Sequence, residues 1–117
     1  MFKYYEYIVK KNHEEAVKWF QKAANQGDVY SKYSVYSHYS LGCMYQEGKG
    51  VDQDLNEAVR LYTLAADQGN APAQYNLGWM YENVRGVNES FQKAARWYRL
   101  AVDQGHVEEQ NALELTI

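Results

Sequence analysis

The side chains best suited to bind a metal ion or act as a nucleophile are few and scattered, namely His13, His38, His106 and Cys43. No histidine has a second histidine or the cysteine three or four residues away, the spacing that puts two ligands on one helix face. We therefore expect surface or capping histidines, and neither a metal site nor a cofactor. A single cysteine excludes an intramolecular disulfide and a cysteine zinc site. It is expected to be a small residue on a helix.

Two further patterns could carry catalysis, and neither fits it. Gly48-Lys49-Gly50 is glycine-rich but lacks the preceding strand and the Gly-Lys-Ser/Thr ending of a phosphate-binding loop, so it is interpreted as a turn. The pairs Glu14-Glu15 and Glu108-Glu109 are adjacent in sequence, and adjacent residues point away from each other on a helix. They lie in predicted first turns, where negative charge is favourable. The sequence predicts that the protein is not an enzyme.

The composition favours a folded protein that binds other proteins. Of the 117 residues 46% are apolar, and the chain has room for one domain or a few stacked units. The 12 basic and 15 acidic residues are interspersed, with a net charge of −3 and no basic stripe for nucleic acid. The 12 tyrosines suit half-buried surfaces and interfaces.

The start of the chain does not resemble a signal peptide, because Lys3 and Glu6 interrupt its apolar residues. No stretch approaches the roughly 18 apolar residues of a membrane span. We expect a cytoplasmic location without membrane insertion, and secretion by another route is left open.

The dominant signal is an internal repeat. Three segments superpose without gaps, at 15–28, 57–70 and 93–106. The segment 41–54 likewise lies over 77–90, again 36 residues apart. A fixed period between 20 and 50 residues is typical of a solenoid.

The repeated segments have helical periodicity. Large residues alternate with alanine at i, i+3, i+4 and i+7, the spacing of one helix face. These positions hold Ala58, Leu61, Tyr62 and Ala65 in one copy, Ala16, Trp19, Phe20 and Ala23 in another, and Ala94, Trp97, Tyr98 and Ala101 in the third. Asp54 and Ser90 are predicted N-caps, and Gly69 and Gly105 predicted C-caps.

The first helix of each pair is marked by Leu41 and Tyr45, and by Leu77 and Tyr81. Beside them lie Gly42 and Gly78, which a helix tolerates when a neighbouring helix packs on the bare backbone. The sequence thus predicts one all-α domain over 1–117. It comprises a second helix at 13–27, full units at about 29–69 and 71–105, and a closing helix at 106–115, six or seven helices in all.

The pattern L-G-x-M-Y-x-x-G-x-G-V-x-x-D-x-x-x-A-x-x-x-Y-x-x-A-A-x-Q-G resembles the Sel-one-like repeat, a relative of the tetratricopeptide repeat. The resemblance covers roughly residues 13–115. It implies a right-handed α–α superhelix, here of about two and a half repeats, that acts as an adaptor. Some cysteine-rich members of the family are linked to β-lactam hydrolysis through paired cysteines. Cys43 has no pair, so that activity is not carried over.

Three departures from the repeat pattern stand out. Val84 replaces the loop glycine at position 48, and Ser90 replaces the aspartate at position 54. The interval from Gly27 to Gly69 is six residues longer than the next one, because of a Tyr-Ser duplication within 30–40 that is interpreted as extra helix or a loop. Residues 1–12 do not match a first helix.

A binding surface is predicted on the first helices, which in tetratricopeptide-like solenoids line the concave side. The residues offset from the Leu/Tyr stripe are expected to face that groove. They are Tyr36, Tyr39, Cys43, Gln46, Tyr75, Trp79, Glu82 and Asn83. The alternative for the aromatic residues is packing against neighbouring repeats. Because no lysine occurs among them, a clamp for a partner's terminal carboxylate is not expected.

The favoured function is a non-enzymatic scaffold that binds a protein or extended peptide on this concave face. The alternative is an inhibitor or immunity-type protein that blocks a partner enzyme with its loops and convex face. Because a solenoid usually needs about three repeats to be stable, dimerisation through an incomplete end is also left open.

Overall fold

The structure, a computed structural model, describes residues 2–25, 32–83 and 91–116, with side chains described for 3, 6–25, 34–83 and 91–104. Within these residues the chain forms five helices and no strand. In chain order they are α1 (Phe2–Ala24), α2 (Lys32–Glu47), α3 (Leu55–Asp67), α4 (Ala71–Glu82) and α5 (Phe91–Thr116). Each helix packs mainly on its neighbours in the chain. The predicted all-α repeat superhelix is confirmed.

Two predicted helix boundaries were wrong. The helix predicted at 13–27 begins at Phe2, because residues 2–24 contain no glycine or proline to interrupt it. The predicted closing helix at 106–115 is not separate, since α5 continues through Gly105 to Thr116. The described residues therefore hold five helices rather than six or seven.

A helix ends just before Gly69 but continues through Gly105, and the residues that follow each glycine explain this difference. Asn70 caps α4 by accepting a hydrogen bond from the Ala73 N–H at 2.8 Å, and Pro72 occupies the first turn. Residues 106 and 107 are histidine and valine, which supply neither a cap nor a helix stop. A glycine permits a helix to end but does not force it to.

Two predicted caps are confirmed around α3. Asp54 accepts a hydrogen bond from the Glu57 N–H at 3.0 Å. Gly69 adopts a φ of +88°, and its N–H donates to the Ala66 carbonyl at 2.9 Å, a hydrogen bond of the kind that closes a helix C-terminus. The predicted N-cap Ser90 and the departure at Val84 lie outside the described residues.

The Tyr-Ser duplication lengthens α2 at its start. α4 begins at Ala71, which corresponds to residue 35, whereas α2 begins three residues earlier at Lys32. The duplicated residues from 32 onward are therefore helical, and residues 26–31 lie outside the described part of the chain.

A glycine of the first helix packs against a tyrosine of the second helix in both units. A Cβ atom on Gly42 would lie 2.6 Å from the Cδ1 and Cε1 atoms of Tyr62, and one on Gly78 would lie 2.8 Å from the Cδ1 atom of Tyr98. Both glycines and both tyrosines are 36 residues apart. The bare backbone thus lets the paired helices approach to ring contact, as the sequence predicted.

Two apolar clusters fill the spaces between helices. The larger joins α3 to α4, and its buried members are Ala58, Tyr62, Ala65, Ala66, Ala73, Leu77 and Met80. The smaller joins α1, α2 and α3 through Val17, Ala24, Leu41 and Leu61. Gln74 is buried beside the larger cluster, where its Nε2 donates to the Ala66 carbonyl at 3.1 Å and its Oε1 accepts from Gln104 of α5 at 2.9 Å.

His38 is buried on α2, with its Nδ1 3.4 Å from the Ser34 hydroxyl oxygen. Burial lowers the pKa of His38 because the protonated ring loses hydration. Hydrogen bonding with Ser34 raises the pKa in part, and the positive charge of Arg60 lowers it further. The neighbouring helix α3 carries Arg60 in an ion pair with Glu57. The neutral imidazole is the form that the fold favours.

We predict that Gly78→Ala destabilises the protein by about 1–3 kcal/mol through overpacking against the Tyr98 ring. In an open helix the same change would stabilise by roughly 0.5–1 kcal/mol. Urea denaturation followed by circular dichroism measures the difference. In a Tyr98→Ala background the sign should reverse, because the obstructing ring is gone. Stabilisation by Gly78→Ala alone would contradict the contact.

We also predict that acidification weakens the fold through His38. The unfolded chain takes up a proton near the ordinary pKa of 6.5, and the folded chain does so only at lower pH. The free energy of unfolding should therefore fall as pH drops below 6.5, by at most about 1.4 kcal/mol per pH unit from this group. In His38→Asn the slope between neutral pH and about pH 5.5 should flatten. An unchanged slope in urea titrations of this variant would contradict the assignment.

Candidate functional site

The predicted binding residues lie on α2 and α4, and we refer to three of their rings, Tyr36, Tyr75 and Trp79, as the aromatic face. Tyr36 is 59% exposed and Tyr75 is 55% exposed. Trp79 is partly buried and packs against the α3–α4 cluster. Two of the three rings are thus largely exposed and the third is partly buried, and their place in a binding groove stays a prediction.

Both exposed tyrosines rest on another aromatic ring. The Tyr36 ring meets Phe20 of α1 edge-on, with ring centroids 6.0 Å apart. The Tyr75 ring lies tilted against Tyr98 of α5, with centroids 5.4 Å apart. Such pairs favour defined ring orientations. The two rings are therefore held in place while more than half of each side chain stays accessible.

Tyr39 and Cys43 lie deeper in the fold, one helical turn apart on α2. Both pack against the α3–α4 cluster, and the Tyr39 ring lies 6.0 Å from Tyr62. Burial raises the pKa of Tyr39, the Cys43 thiol raises it further, and Asn76 of α4 lowers it in part. Tyr39 and Cys43 therefore contribute to the packing of α2 on α3.

Gln46 and Glu82 are equivalent residues that accept hydrogen bonds from the second helices. The Tyr62 hydroxyl donates to Gln46 Oε1, and the Tyr98 hydroxyl donates to Glu82 Oε2, each at 2.7 Å. Partial burial and the hydrogen bond to Glu82 raise the pKa of Tyr98. Both predicted groove residues thus have a structural role as well, and Glu82 remains exposed.

Asn83 ends α4 and belongs to its C-cap. Its backbone N–H donates to the Trp79 carbonyl at 2.9 Å, and its side-chain Nδ2 donates to the same oxygen at 2.8 Å. Asn83 is exposed at the edge of the aromatic face. The side-chain amide of Asn83 is therefore largely engaged in capping α4.

The electrostatic character of the surface is neutral to weakly acidic. The described side chains of α2 include no lysine or arginine, and those of α4 carry one charge, Glu82. An apolar and hydrogen-bonding ligand therefore suits this surface better than a strongly charged one.

Sequence reasoning missed the supports of the site. Phe20 and Tyr98 contact the rings of predicted residues and were not assigned to the site. The 36-residue spacing of Gly42/Gly78 and Tyr62/Tyr98 carried part of this information, because a repeated glycine opposite a repeated tyrosine predicts the ring contact. No repeat spacing predicts the contact of Phe20 with Tyr36.

A cleft lies between α1 and the α2–α3 loop. This cleft has a volume of about 640 Å³ and is lined by Glu6, Lys10, His13, Glu14, Lys49 and Asp52 among others. The loop is held there by Gly50, whose φ is +77° and whose Cβ, if present, would lie 2.5 Å from the His13 backbone. Acidic and basic side chains are mixed within it. Among the described residues, no group of three or more histidines, cysteines or carboxylates could hold a metal ion.

The Sel1 repeat model matches the chain at residues 2–28, 35–70 and 71–106. The chain belongs to the Sel1 repeat family. The first matched repeat begins at residue 2, so it includes the residues that the internal superposition left unmatched. The unmatched residues 29–34 number six, the same as the extra length of the first interval.

Two solved structures resemble this Sel1 repeat chain. One is a protective antigen present in uropathogenic Escherichia coli strains and displaying an SLR fold, with a TM-score of 0.69 and 41% identity, covering 75% of this chain and 18% of that one. The other is a Sel1 repeat protein from Oxalobacter formigenes, with a TM-score of 0.68 and 32% identity, covering 77% of this chain and 35% of that one.

Two curated relatives carry the name DAP3-binding cell death enhancer 1. The rat protein is 43% identical and the mouse protein 39% identical, each over 61 residues. The match covers 52% of this chain and 11% of each relative. Sel1 repeat proteins typically mediate protein–protein interactions, and the repeat is in general a non-catalytic scaffold. None of the described helices combines the length and the apolar character needed to cross a membrane.

We predict that Tyr62→Phe lowers the free energy of unfolding by about 1 kcal/mol, because it leaves the Gln46 amide oxygen without its donor. A double-mutant cycle with Gln46→Ala should give a coupling energy of similar size. In the matched cycle of Tyr98→Phe with Glu82→Ala the coupling should be smaller, since Glu82 is exposed to water. Simple additivity of Tyr62→Phe and Gln46→Ala would contradict a stabilising hydrogen bond.

Proposed function

We propose that the protein is a non-enzymatic adaptor that binds a segment of another protein on the aromatic face. The observation that carries the proposal is the pair of exposed tyrosine rings, Tyr36 and Tyr75, each held against a second ring. Aromatic anchors that are ordered before binding lose little conformational entropy when a partner arrives. Tyrosine is also among the residues that contribute most to interface affinity.

The character of the surface indicates the kind of partner. With Glu82 as the one charge on α4, the aromatic face suits an extended segment with apolar side chains and free backbone amides. Such segments are recognised by aromatic-lined grooves. A basic residue in the partner could form an ion pair with Glu82 at the edge of the surface.

The comparisons support a protein partner in general terms. The name of the rat and mouse relatives states that those proteins bind DAP3. The shared region is about a tenth of their length, so the name supports a protein-binding role here without identifying the partner.

The proposal predicts that Tyr36→Ala/Tyr75→Ala abolishes binding of selected peptides while leaving the fold intact. Peptides would be selected against the wild-type protein from a random library displayed on phage, and their affinity measured by fluorescence polarisation. Loss of an aromatic anchor costs on the order of 2 kcal/mol, or roughly 30-fold in Kd. Circular dichroism would show whether helicity is retained.

A matched control is Tyr7→Ala, which removes a tyrosine of α1 that is exposed to a similar extent. It should bind the selected peptides as the wild type does. If the double variant also binds them unchanged, the aromatic face is not the binding site. Sensitivity to Lys49→Ala instead would favour the loop-based inhibitor or immunity-type function.

A further inference from the structure

A buried glutamine links three helices in the second half of the structure. Gln74 lies on α4, and its Nε2 donates to the Ala66 carbonyl of α3 at 3.1 Å. Its Oε1 accepts from Gln104 of α5 at 2.9 Å. Because an amide donates and accepts at once, one side chain joins α4 to the helix before it and to the helix after it. The junction of α3 with α4 is thus held by a polar side chain as well as by apolar packing.

The equivalent residue of α2 is a histidine that pairs within its own helix. His38 lies 36 residues before Gln74, and Ala24 of α1 has the place of Ala66 in the repeat. His38 is nearly as buried as Gln74. Its Nδ1 lies 3.4 Å from the hydroxyl oxygen of Ser34, also on α2. The junction of α1 with α2 therefore has a titratable ring where the junction of α3 with α4 has a permanently neutral amide.

A small polar cavity lies beside His38, between α1, α2 and α3. Its volume is about 170 Å³, which is enough for several water molecules. Helix α1 contributes Gln21, Ala24 and Asn25 to its walls. Since α1 forms one side of the cavity, displacement of α1 would open the His38 ring to water.

The charges at the cavity are balanced while His38 is neutral. Arg60 and Glu57 of α3 line the cavity and are paired with each other, with Arg60 Nε 2.9 Å from Glu57 Oε1. The described wall residues of α1 carry no charge, and α2 adds the phenol of Tyr45. A proton on His38 would therefore place a second positive charge near Arg60. Burial lowers the pKa of His38, and Arg60 lowers it further.

We propose that the contact of α1 with α2 and α3 around His38 is a pH-sensitive joint, which opens when the ring takes up a proton. In the closed joint the ring is enclosed and neutral. In the open joint it is hydrated and is protonated near its ordinary pKa of 6.5. The open fraction therefore rises as pH falls below 6.5, by at most about tenfold per pH unit, until the pH reaches the lower pKa of the enclosed ring.

Opening of the joint reaches the aromatic face through one ring contact. Phe20 of α1 meets the Tyr36 ring with centroids 6.0 Å apart, and the next residue, Gln21, lines the cavity. Displacement of α1 removes Phe20 from beside Tyr36. This step rests on the proposed function, because a peptide that binds the aromatic face with Tyr36 held by Phe20 should keep the joint closed.

Hydrogen–deuterium exchange of the full chain between pH 7.5 and 5.5 tests the joint, with rates corrected for the intrinsic pH dependence of exchange. Amides in the second half of α1 should be less protected than those of α3. Their protection factors should fall by up to about tenfold per pH unit below 6.5. Protection of α1 that does not change with pH would overturn the proposal. Equal protection factors that fall in step in α1 and α3 would also overturn it, because the whole chain would then be unfolding.

Two substitutions separate the charge of His38 from its geometry. His38→Gln installs the amide found at Gln74, which should reach the Ala24 carbonyl, so the α1 amides should become more protected and insensitive to pH. His38→Asn is also neutral but one methylene shorter than glutamine, so it should remove the pH dependence without the added protection. Circular dichroism would show that each variant is folded. Persistence of the pH dependence in either folded variant would assign the proton to another group and refute the joint.

Peptide binding tests the link to the aromatic face. At pH 5.5, a peptide selected against the wild type and present at a hundred times its Kd should raise the protection of the α1 amides by up to about a hundredfold. Bound peptide that leaves these amides unchanged would refute the link. If no peptide binds even at pH 7.5, the adaptor function fails and the link fails with it. The exchange results on the joint are independent of that outcome.

Discussion

The close approach of a second helix to a glycine of the first is the contact on which the rest of the structure depends. With any side chain at Gly42 or Gly78, the rings of Tyr62 and Tyr98 could not lie on the backbone. That position of the ring brings each tyrosine hydroxyl to an acceptor one turn further along the first helix. It also supplies the surface on which Tyr75 rests. Core packing and the exposed aromatic residues thus have a common origin.

The repeat units differ mainly in the number of neighbouring helices that pack against them. α3 has neighbours on both sides, and its alanines are buried. α1 and α5 each lack one neighbour among the described residues, and each exposes a large apolar residue where α3 has a buried one. The described part of this Sel1 repeat chain therefore exposes large apolar side chains on the first helices and on α1 and α5.

The repeat period allowed most of the fold to be predicted, because identities at fixed spacing carry helix positions, caps and core residues together. Asp54, Gly69 and the glycine–tyrosine contacts followed from such identities. The helix boundaries predicted at residue 13 and Gly105 were wrong, since helix ends depend on stop signals that α1 and α5 lack at these positions. For the site, exposure of Tyr36 and Tyr75 was predictable from helical periodicity. The partial burial of Trp79 and Tyr39 was not, because it depends on how α2 and α4 pack against α3.

The described helices contact mainly their neighbours in the chain, and this affects how the molecule opens. Cooperativity in such a stack is transmitted from one unit to the next rather than through a shared centre. Amide hydrogens in α3, enclosed on both sides, should exchange with solvent more slowly than those near the ends of α1 and α5. Because most contacts are local in sequence, the chain belongs to the class that folds quickly. We therefore expect α1 and α5 to be the least stable of the five described helices.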